Sequence, residues 1–259
     1  MAEELSEESA PGSTGRVLSR RERARAATID EIKHTALMLM NKQGTTDFRF
    51  SEIARAMGMT APALYRYFAD RDELLTALIV DAYDDLGAAV ARRRDRIPRS
   101  DPGGRFHAVA QEYRRWARSE PTRFALILGL PVPGYSAPEE GATTEAARRA
   151  MAQLKSLFYD AAEQDLLSEP TFDLDSDSAR LFLAWRDDPM RKVDVEPDLS
   201  AGMFQAIVHC WASLHGFTSL EAYGHLDWLP EDVRHVLFVA NMRHVADAAG
   251  LPAPKTPVD

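Results

Sequence analysis

From Thr28 onward the apolar residues fall at three- and four-residue steps: Ile29, Ile32, Ala36, Leu37, Leu39 and Met40. That is the spacing of one buried helix face. Gly44 in "NKQGTTDF" closes the helix as a C-cap would. A short second helix is expected from about Phe50 to Met57, with Ile53, Ala54 and Met57 turned inward and Gly58 breaking it. Thr60 suits the N-cap of a third helix, and Pro62 lies in its first turn, where a missing N–H costs nothing. This helix stops near Phe68, and Asp70 then caps a fourth that runs to about Arg96, ahead of Pro98. Beyond "PRSDPGG" the pattern predicts helices near 103–118, 121–129, 143–166, 175–187, 198–220 and 231–249, with Pro- or Gly-bearing loops between them. Gly250 and Pro252 end the last helix in the usual order. No run shows the alternation of β-branched residues that a sheet needs, and no internal repeat is visible. The expected fold class is all-α.

Composition narrows this a little. A chain of 259 residues allows one large domain, or a small one followed by a larger one. No stretch approaches the roughly 18 to 20 unbroken apolar residues of a membrane span, so no membrane partner is expected. The opening "MAEELSEESAPGSTG" is acidic and lacks the apolar segment of a signal peptide. A single cysteine, Cys210, excludes an internal disulfide framework and fits a reducing compartment. Together these point to a cytoplasmic chain.

Charge changes the picture more. The formal net charge is −9, yet residues 15–72 hold eleven Lys/Arg against seven Asp/Glu. Residues 1–14 hold four glutamates and no base. The expected organisation is therefore a disordered tail (1–15), a small basic unit (16–75) and a large acidic one (76–259). A basic head on an acidic body suggests that the head meets a polyanion and the body does not. The arginine-rich "RVLSRRERARAA" reads either as an extended arm or as the first turn of the first helix.

Two short helices joined by "MGM" form a helix-turn-helix pattern, whose second helix fits the DNA major groove. At about 100° per residue, Leu64 and Phe68 share a core-facing side. Pro62 and Arg66 then point the opposite way, with Ala63 and Tyr65 on the flanks. Such a face has a guanidinium for guanine O6 and N7, small groups for a thymine methyl and phenols for phosphate. The bland alternative makes Tyr65 and Tyr67 half-buried packing residues. The turn, the cap and the basic flank together favour DNA.

The stretch "FSEIARAMGMTAPALYRYFADRDELLTALI" resembles the DNA-binding signature of the TetR/AcrR family of bacterial transcriptional regulators. Its Ile53-Ala54 pair, Gly58-Met59-Thr60 turn, Leu64-Tyr65, Phe68, Arg71 and Leu74-Leu75 stand at the family's positions. The resemblance covers about residues 28–80. It implies that Thr60 and the first-turn backbone grip phosphate, and that Ala61, Pro62, Ala63 and Arg66 face bases. It further implies that Tyr65, Tyr67 and Arg71 hold the DNA backbone, with Ser51 and Arg49 within reach. Three positions depart from the pattern: Tyr67 replaces a common histidine, Arg71 a usual lysine, and Arg49 a small hydroxyl residue.

In the remaining two thirds, "EYRRWARSEPTRFALILG" and "WASLHGFTSLEAYGHL" resemble a recurring C-terminal type of the same family, through Tyr113, Trp116, Pro121 and Phe124, then Trp211, Leu214, His215 and Gly216. Such a body holds an effector pocket and a dimer interface. Leu199, Met203, Ile207, Trp211 and Leu214 form one stripe, and Val233, Leu237, Ala240 and Ala248 another. Two striped helices either bury within their own subunit or pair with a copy into a four-helix bundle. The resemblance favours the homodimer, with Leu199, Ile207, Leu214, Val233, Leu237 and Ala240 at the interface. Trp116, Phe124, Phe158, Trp185, Met203 and Trp211 would line the pocket for a small apolar or aromatic effector, although aromatics at helical spacing are more often plain core.

Enzyme and metal chemistry find little footing. "DLDSDS" (Asp173, Asp175, Asp177) imitates a calcium loop but lacks its glycine and its final glutamate, so a helix cap by Ser176 or Asp177 is the expected role. His209 and Cys210 are adjacent on a helix and diverge too far to chelate one metal. His215 reads as a hydrogen-bonded interhelical residue. No phosphate loop, HExxH motif or nucleophile elbow is present, so no cofactor is expected. The expectation is a repressor that leaves a palindromic operator when an effector fills the body. A constitutive DNA-binding protein without effector is the first alternative, and a helical enzyme the second.

Overall fold

A computed structural model describes residues 19–137, 140–171, 175–188 and 200–255. The expected tail (1–15), Asp173 and Leu199 lie outside the described residues. The described chain is all helix: α1 (Arg20–Gln43), α2 (Phe50–Ala56), α3 (Ala61–Leu64), α4 (Arg71–Arg94), α5 (Pro102–Ser119), α6 (Pro121–Leu128), α7 (Ala142–Glu163), α8 (Ser176–Arg186), α9 (Ala201–Ala222) and α10 (Glu231–Ala248).

Local chemistry sets the helix ends. Ser19 and Glu22 form a reciprocal capping box, with Glu22 N–H donating to Ser19 Oγ (3.2 Å) and Ser19 N–H to Glu22 Oε2 (2.7 Å). The box decides the reading of the arginine-rich stretch: from Arg20 it is helix, not an extended arm. Gly44 (φ 64) ends α1 in the left-handed region, and the Asp70 carboxylate accepts from Glu73 N–H at the start of α4. Thr60 occupies the N-cap position of α3, but its hydroxyl makes no capping bond. Asp175, rather than Ser176 or Asp177, caps α8, because its carboxylate reaches the backbone N–H of both Asp177 and Ser178 (2.9 Å each). Helix α3 is a single turn, followed by a turn in which Tyr67 N–H donates to Leu64 O (2.9 Å).

The helices enclose two apolar clusters. The first gathers Ile32, Ala36 and Met40 of α1, Ile53 of α2, Leu64 and Phe68, and Leu74, Leu75, Leu78 and Ile79 of α4. The second gathers Leu86, Ala89 and Val90 of α4 with Phe106, Val109 and Trp116 of α5, Phe158 of α7, and Leu214 and Phe238 of α9 and α10. Helix α4, 24 residues or ~36 Å long, runs through both. Helix α6 joins them too: Phe124 is buried in the second cluster, while Leu126 and the following Val132 are buried in the first. Tyr83 of α4 donates to the Ile127 carbonyl (2.9 Å), and Thr76 bonds Tyr135 (3.0 Å) across the same seam.

Helix α5 lies so deep that polar residues are buried with it, and each needs a partner. Arg114 meets Glu221 of α9 through two guanidinium bonds (Nε–Oε2 2.6 Å), with side-chain exposures of 7% and 3%. Arg114 also stacks over Phe238 (4.9 Å) and approaches His235 Nδ1 (3.3 Å). Tyr113 bonds His215 Nδ1 (3.0 Å), giving His215 the interhelical role expected of it. Among the described residues no group of His, Cys, Asp and Glu could hold a metal ion, and no helix is long and apolar enough to cross a membrane. Burial pushes the Cys210 thiol up to about 12.

Burial also lowers the His107 and His215 imidazoles below their ordinary value, with Arg243 adding to the effect on His107. The unfolded chain therefore takes up these protons first as pH falls. Stability is full above about pH 6.5 and declines between that value and the lower folded-state values. Thermal melting should give a lower Tm at about pH 5.5 than at about pH 7.5. A His107→Gln/His215→Gln variant should lose most of that difference; an unchanged difference would place its origin elsewhere.

Candidate nucleic-acid interface

The geometry of the helix pair begins at Gly58. Its φ of 65 lies where side-chain-bearing residues are strained, and it lets the chain reverse between α2 and α3 within a few residues. A Cβ there would meet nothing within 4 Å, so the demand is conformational rather than steric. Gly58→Ala should cost about 1–2 kcal/mol, read as a lower denaturant midpoint; an unchanged midpoint would show that the turn relaxes freely.

Leu64 (0% exposed) and Phe68 (5%) anchor the second helix, as the spacing predicts. With that side fixed, Pro62, Tyr65 and Arg66 stand exposed, and Ala61, Ala63 and Tyr67 are half-buried. Arg49, Ser51 and Thr60 are exposed beside them. Tyr65 rests its ring against Phe50 (5.1 Å). Arg25 of α1 donates to the Arg66 carbonyl (3.1 Å) and lies over the Tyr67 ring (5.2 Å), which fixes both the turn and the phenol. In the sequence Arg25 shows only as one more positive charge; its bracing role needs the packing of α1 on α3.

Arg71 does not stand free. Its guanidinium bonds Asp47 Oδ1 twice (3.1 and 2.6 Å) and lies over the Phe48 ring (5.5 Å), tying the loop before α2 to the start of α4. This bond holds the Asp47 carboxyl below its usual range. Arg49, Arg55 and Arg66 make no ion pair with a described residue. Arg49 adds only a longer-range attraction to Asp47.

Among the described residues, those expected to line an effector pocket have different surroundings. Trp116 is buried with its indole N–H on Asp85 (2.9 Å), and Phe158 is buried in the second cluster. Trp185 lies beside Phe182 and Phe204 on the α8 side, and Met203 packs at the edge of the second cluster. Trp211 does line an apolar pocket, with Tyr83, Leu86, Val109, Tyr113 and Leu154, and Phe124 stands behind Tyr113 at 6.1 Å. That pocket is nearly closed, at about 30 Å³. Burial raises the Tyr83 and Tyr113 hydroxyls above their usual range, so both stay neutral.

The two stripes divide as well. Ile207 (8% exposed) and Leu214 (1%) turn into their own chain's core, so these two positions do not face a second copy. Val233, Leu237 and Ala240 of α10 are exposed, joined by Val236, and the outer side of α9 carries Val208, Ala212 and Leu220. On α9, which is apolar nearly all round, periodicity cannot choose a side.

Comparison with known proteins bears on both halves. Residues 32–78 match the profile of "Bacterial regulatory proteins, tetR family", and residues 106–245 match "Tetracyclin repressor-like, C-terminal domain". The HTH-type transcriptional regulator Rv1816 of Mycobacterium tuberculosis is 42% identical over 118 residues, 46% of this chain and 48% of that protein. The chain thus spans about half the length of the curated relatives it matches so closely. A second regulator of that organism, Rv0681, described as an uncharacterized HTH-type protein, is 23% identical over 78% of this chain and 74% of its own. The crystal structure of a regulatory protein, SCO4313, is similar with a TM-score of 0.69 and 31% identity, covering 88% of this chain and all of that one (100%). A protein with unknown function from Rhodococcus sp. RHA1 shares the fold at a TM-score of 0.59 and 21% identity, over 83% of this chain and 94% of its own.

Proposed function

We propose, from the premise that the chain belongs to the tetR family of bacterial regulatory proteins, that it is a cytoplasmic homodimeric repressor released from a palindromic operator by a small apolar effector. Membership makes it a DNA-binding regulator of transcription and not an enzyme. The repressor role, the operator symmetry and the effector are our reading. The observation that carries it is the exposed, unpaired arginine face of the helix pair, held rigid by Leu64, Phe68 and Arg25. We assign base contacts to Arg66, Pro62, Ala61 and Ala63. Phosphate contacts fall to Arg49, Ser51, Thr60, Tyr65 and Tyr67. Thr60 suits this because its hydroxyl is exposed and leaves the helix end uncapped. Arg71 serves mainly to position the loop through Asp47. We take residues 16–75 as the reading unit and 76–259 as the effector and dimer unit.

Release follows from the seam. The pocket beside Trp211 must widen to admit a ligand, and its wall includes Leu128 of α6 and Tyr83, Leu86 and Val90 of α4. Both helices pass into the first cluster, so a ligand that favours the widened state also favours a different placement of the reading unit. The exposed apolar side of α9 and α10, with Val208, Leu220, Val233, Val236 and Leu237, is the face we assign to the second copy. Selection of bound sequences from random DNA tests the reading. A palindromic consensus supports operator recognition by a dimer; recovery of no consensus overturns it.

A further inference from the structure

We infer that the groove between the C-terminal end of α4 and the middle of α5 binds a soluble ligand bearing two or more phosphate groups, at a site separate from the apolar pocket. The groove has a volume of about 370 Å³, within the range of small-ligand sites. Arg92, Arg93 and Arg96 line one wall and Arg115 the other. Glu112 is the one carboxylate among the lining residues, and Arg115 already engages it (Nε–Oε2 2.8 Å). Arg92, Arg93 and Arg96 make no ion pair with a described residue, whereas the adjacent Arg94 bonds Asp95, Gln153 and Ser156.

Four guanidinium groups against one carboxylate are out of keeping with an acidic chain of formal charge −9. Arg92 and Arg96 stand four residues apart, a like-charge spacing that costs stability unless an anion intervenes. The carbonyls at the end of α4 favour cations in its last turn, which accounts for Arg92 and Arg93. They do not account for Arg96, which lies past the helix end at Arg94; Arg115, from the other wall, is balanced by Glu112, so Arg92, Arg93 and Arg96 are the uncompensated charges. Guanidinium groups fork onto phosphate oxygens in pairs, so groups converging from two walls suit adjacent phosphates better than one carboxylate. Operator DNA is not the occupant we assign, because these residues lie at the far end of a helix ~36 Å long.

The test is calorimetric titration of the full chain with inorganic pyrophosphate at about 0.1 M salt, where long-range attraction is screened beyond about 10 Å. Saturable binding is expected, weakened about tenfold or more in Arg92→Gln/Arg96→Gln, both of them exposed residues. Arg115→Gln should weaken it from the opposite wall. Arg148→Gln/Arg243→Gln removes the same charge from exposed sites elsewhere on the body and should leave binding intact. An Arg20→Gln/Arg21→Gln variant should also leave it intact. Equal weakening in all the double variants, or no saturable heat with the unsubstituted chain, overturns the assignment.

Discussion

Glu221→Ala is expected to destabilise the protein by about 3–5 kcal/mol, a large part of the roughly 5–15 kcal/mol that holds a domain together. The size comes from what remains behind. Arg114 is 7% exposed at the side chain and bonds Glu221 through two nitrogens. Arg118 and Arg234 also stand 3.9 and 4.0 Å from the same carboxylate. Removing the acid leaves a buried guanidinium without its bonded carboxylate, while Glu231 bonds Arg118 and Arg234 and attracts Arg114 only from farther off. The pair as a whole is worth much less than its disruption, since two desolvated charges barely outweigh two well-packed apolar groups. A combined Arg114→Met/Glu221→Leu variant should therefore recover most of the loss. Denaturant midpoints of the three variants distinguish the cases: a single variant close to the parent would mean that water enters and solvates Arg114.

Arg66→Ala is expected to weaken binding to the preferred sequence by about 1–3 kcal/mol, and to relax the base preference at one position of each half-site. Its side chain is exposed and without an ion-pair partner, and Arg25 fixes its backbone, so little of the effect should come through folding. Arg71→Ala should behave differently. The Asp47 bond and the Phe48 contact make this residue part of the scaffold, so its loss should lower binding to all sequences alike and reduce stability as well. Its salt dependence should flatten by less than the roughly one unit of a dedicated phosphate contact. Titrations of both variants against selected and scrambled duplexes at two salt concentrations separate these outcomes. An Arg66→Ala protein that keeps its sequence preference would remove the base-reading assignment.

Several helix ends were legible because they carry local punctuation. Gly44, Gly58, Asp70 and Gly250 are local signals, and the structure uses each of them where its spacing indicates. The orientation of Leu64 and Phe68 was equally legible, since a short amphipathic helix has only one apolar side. What could not be read depended on partners distant in the chain. Arg25 on Tyr67, Arg71 on Asp47 and Arg114 on Glu221 join residues that share no pattern. Trp116 and Phe158 have the composition of a pocket but are buried in the second cluster, a fate that composition does not reveal. On α9, Ile207 and Val208 are neighbours of similar character, yet one is buried and the other exposed.

Helix α6 has a consequence for how such a protein can be rearranged. Phe124 belongs to one cluster and Leu126 to the other, so a segment of eight residues is shared property. A cut after residue 75 would strip Leu78, Ile79, Leu126 and Val132 from the cluster that supports the reading helix. The head is therefore not a cassette to be exchanged at a sequence boundary. A chimera that keeps this head's specificity must carry the first half of α4 and the far side of α6 with it, even though α6 lies some fifty residues further along the chain.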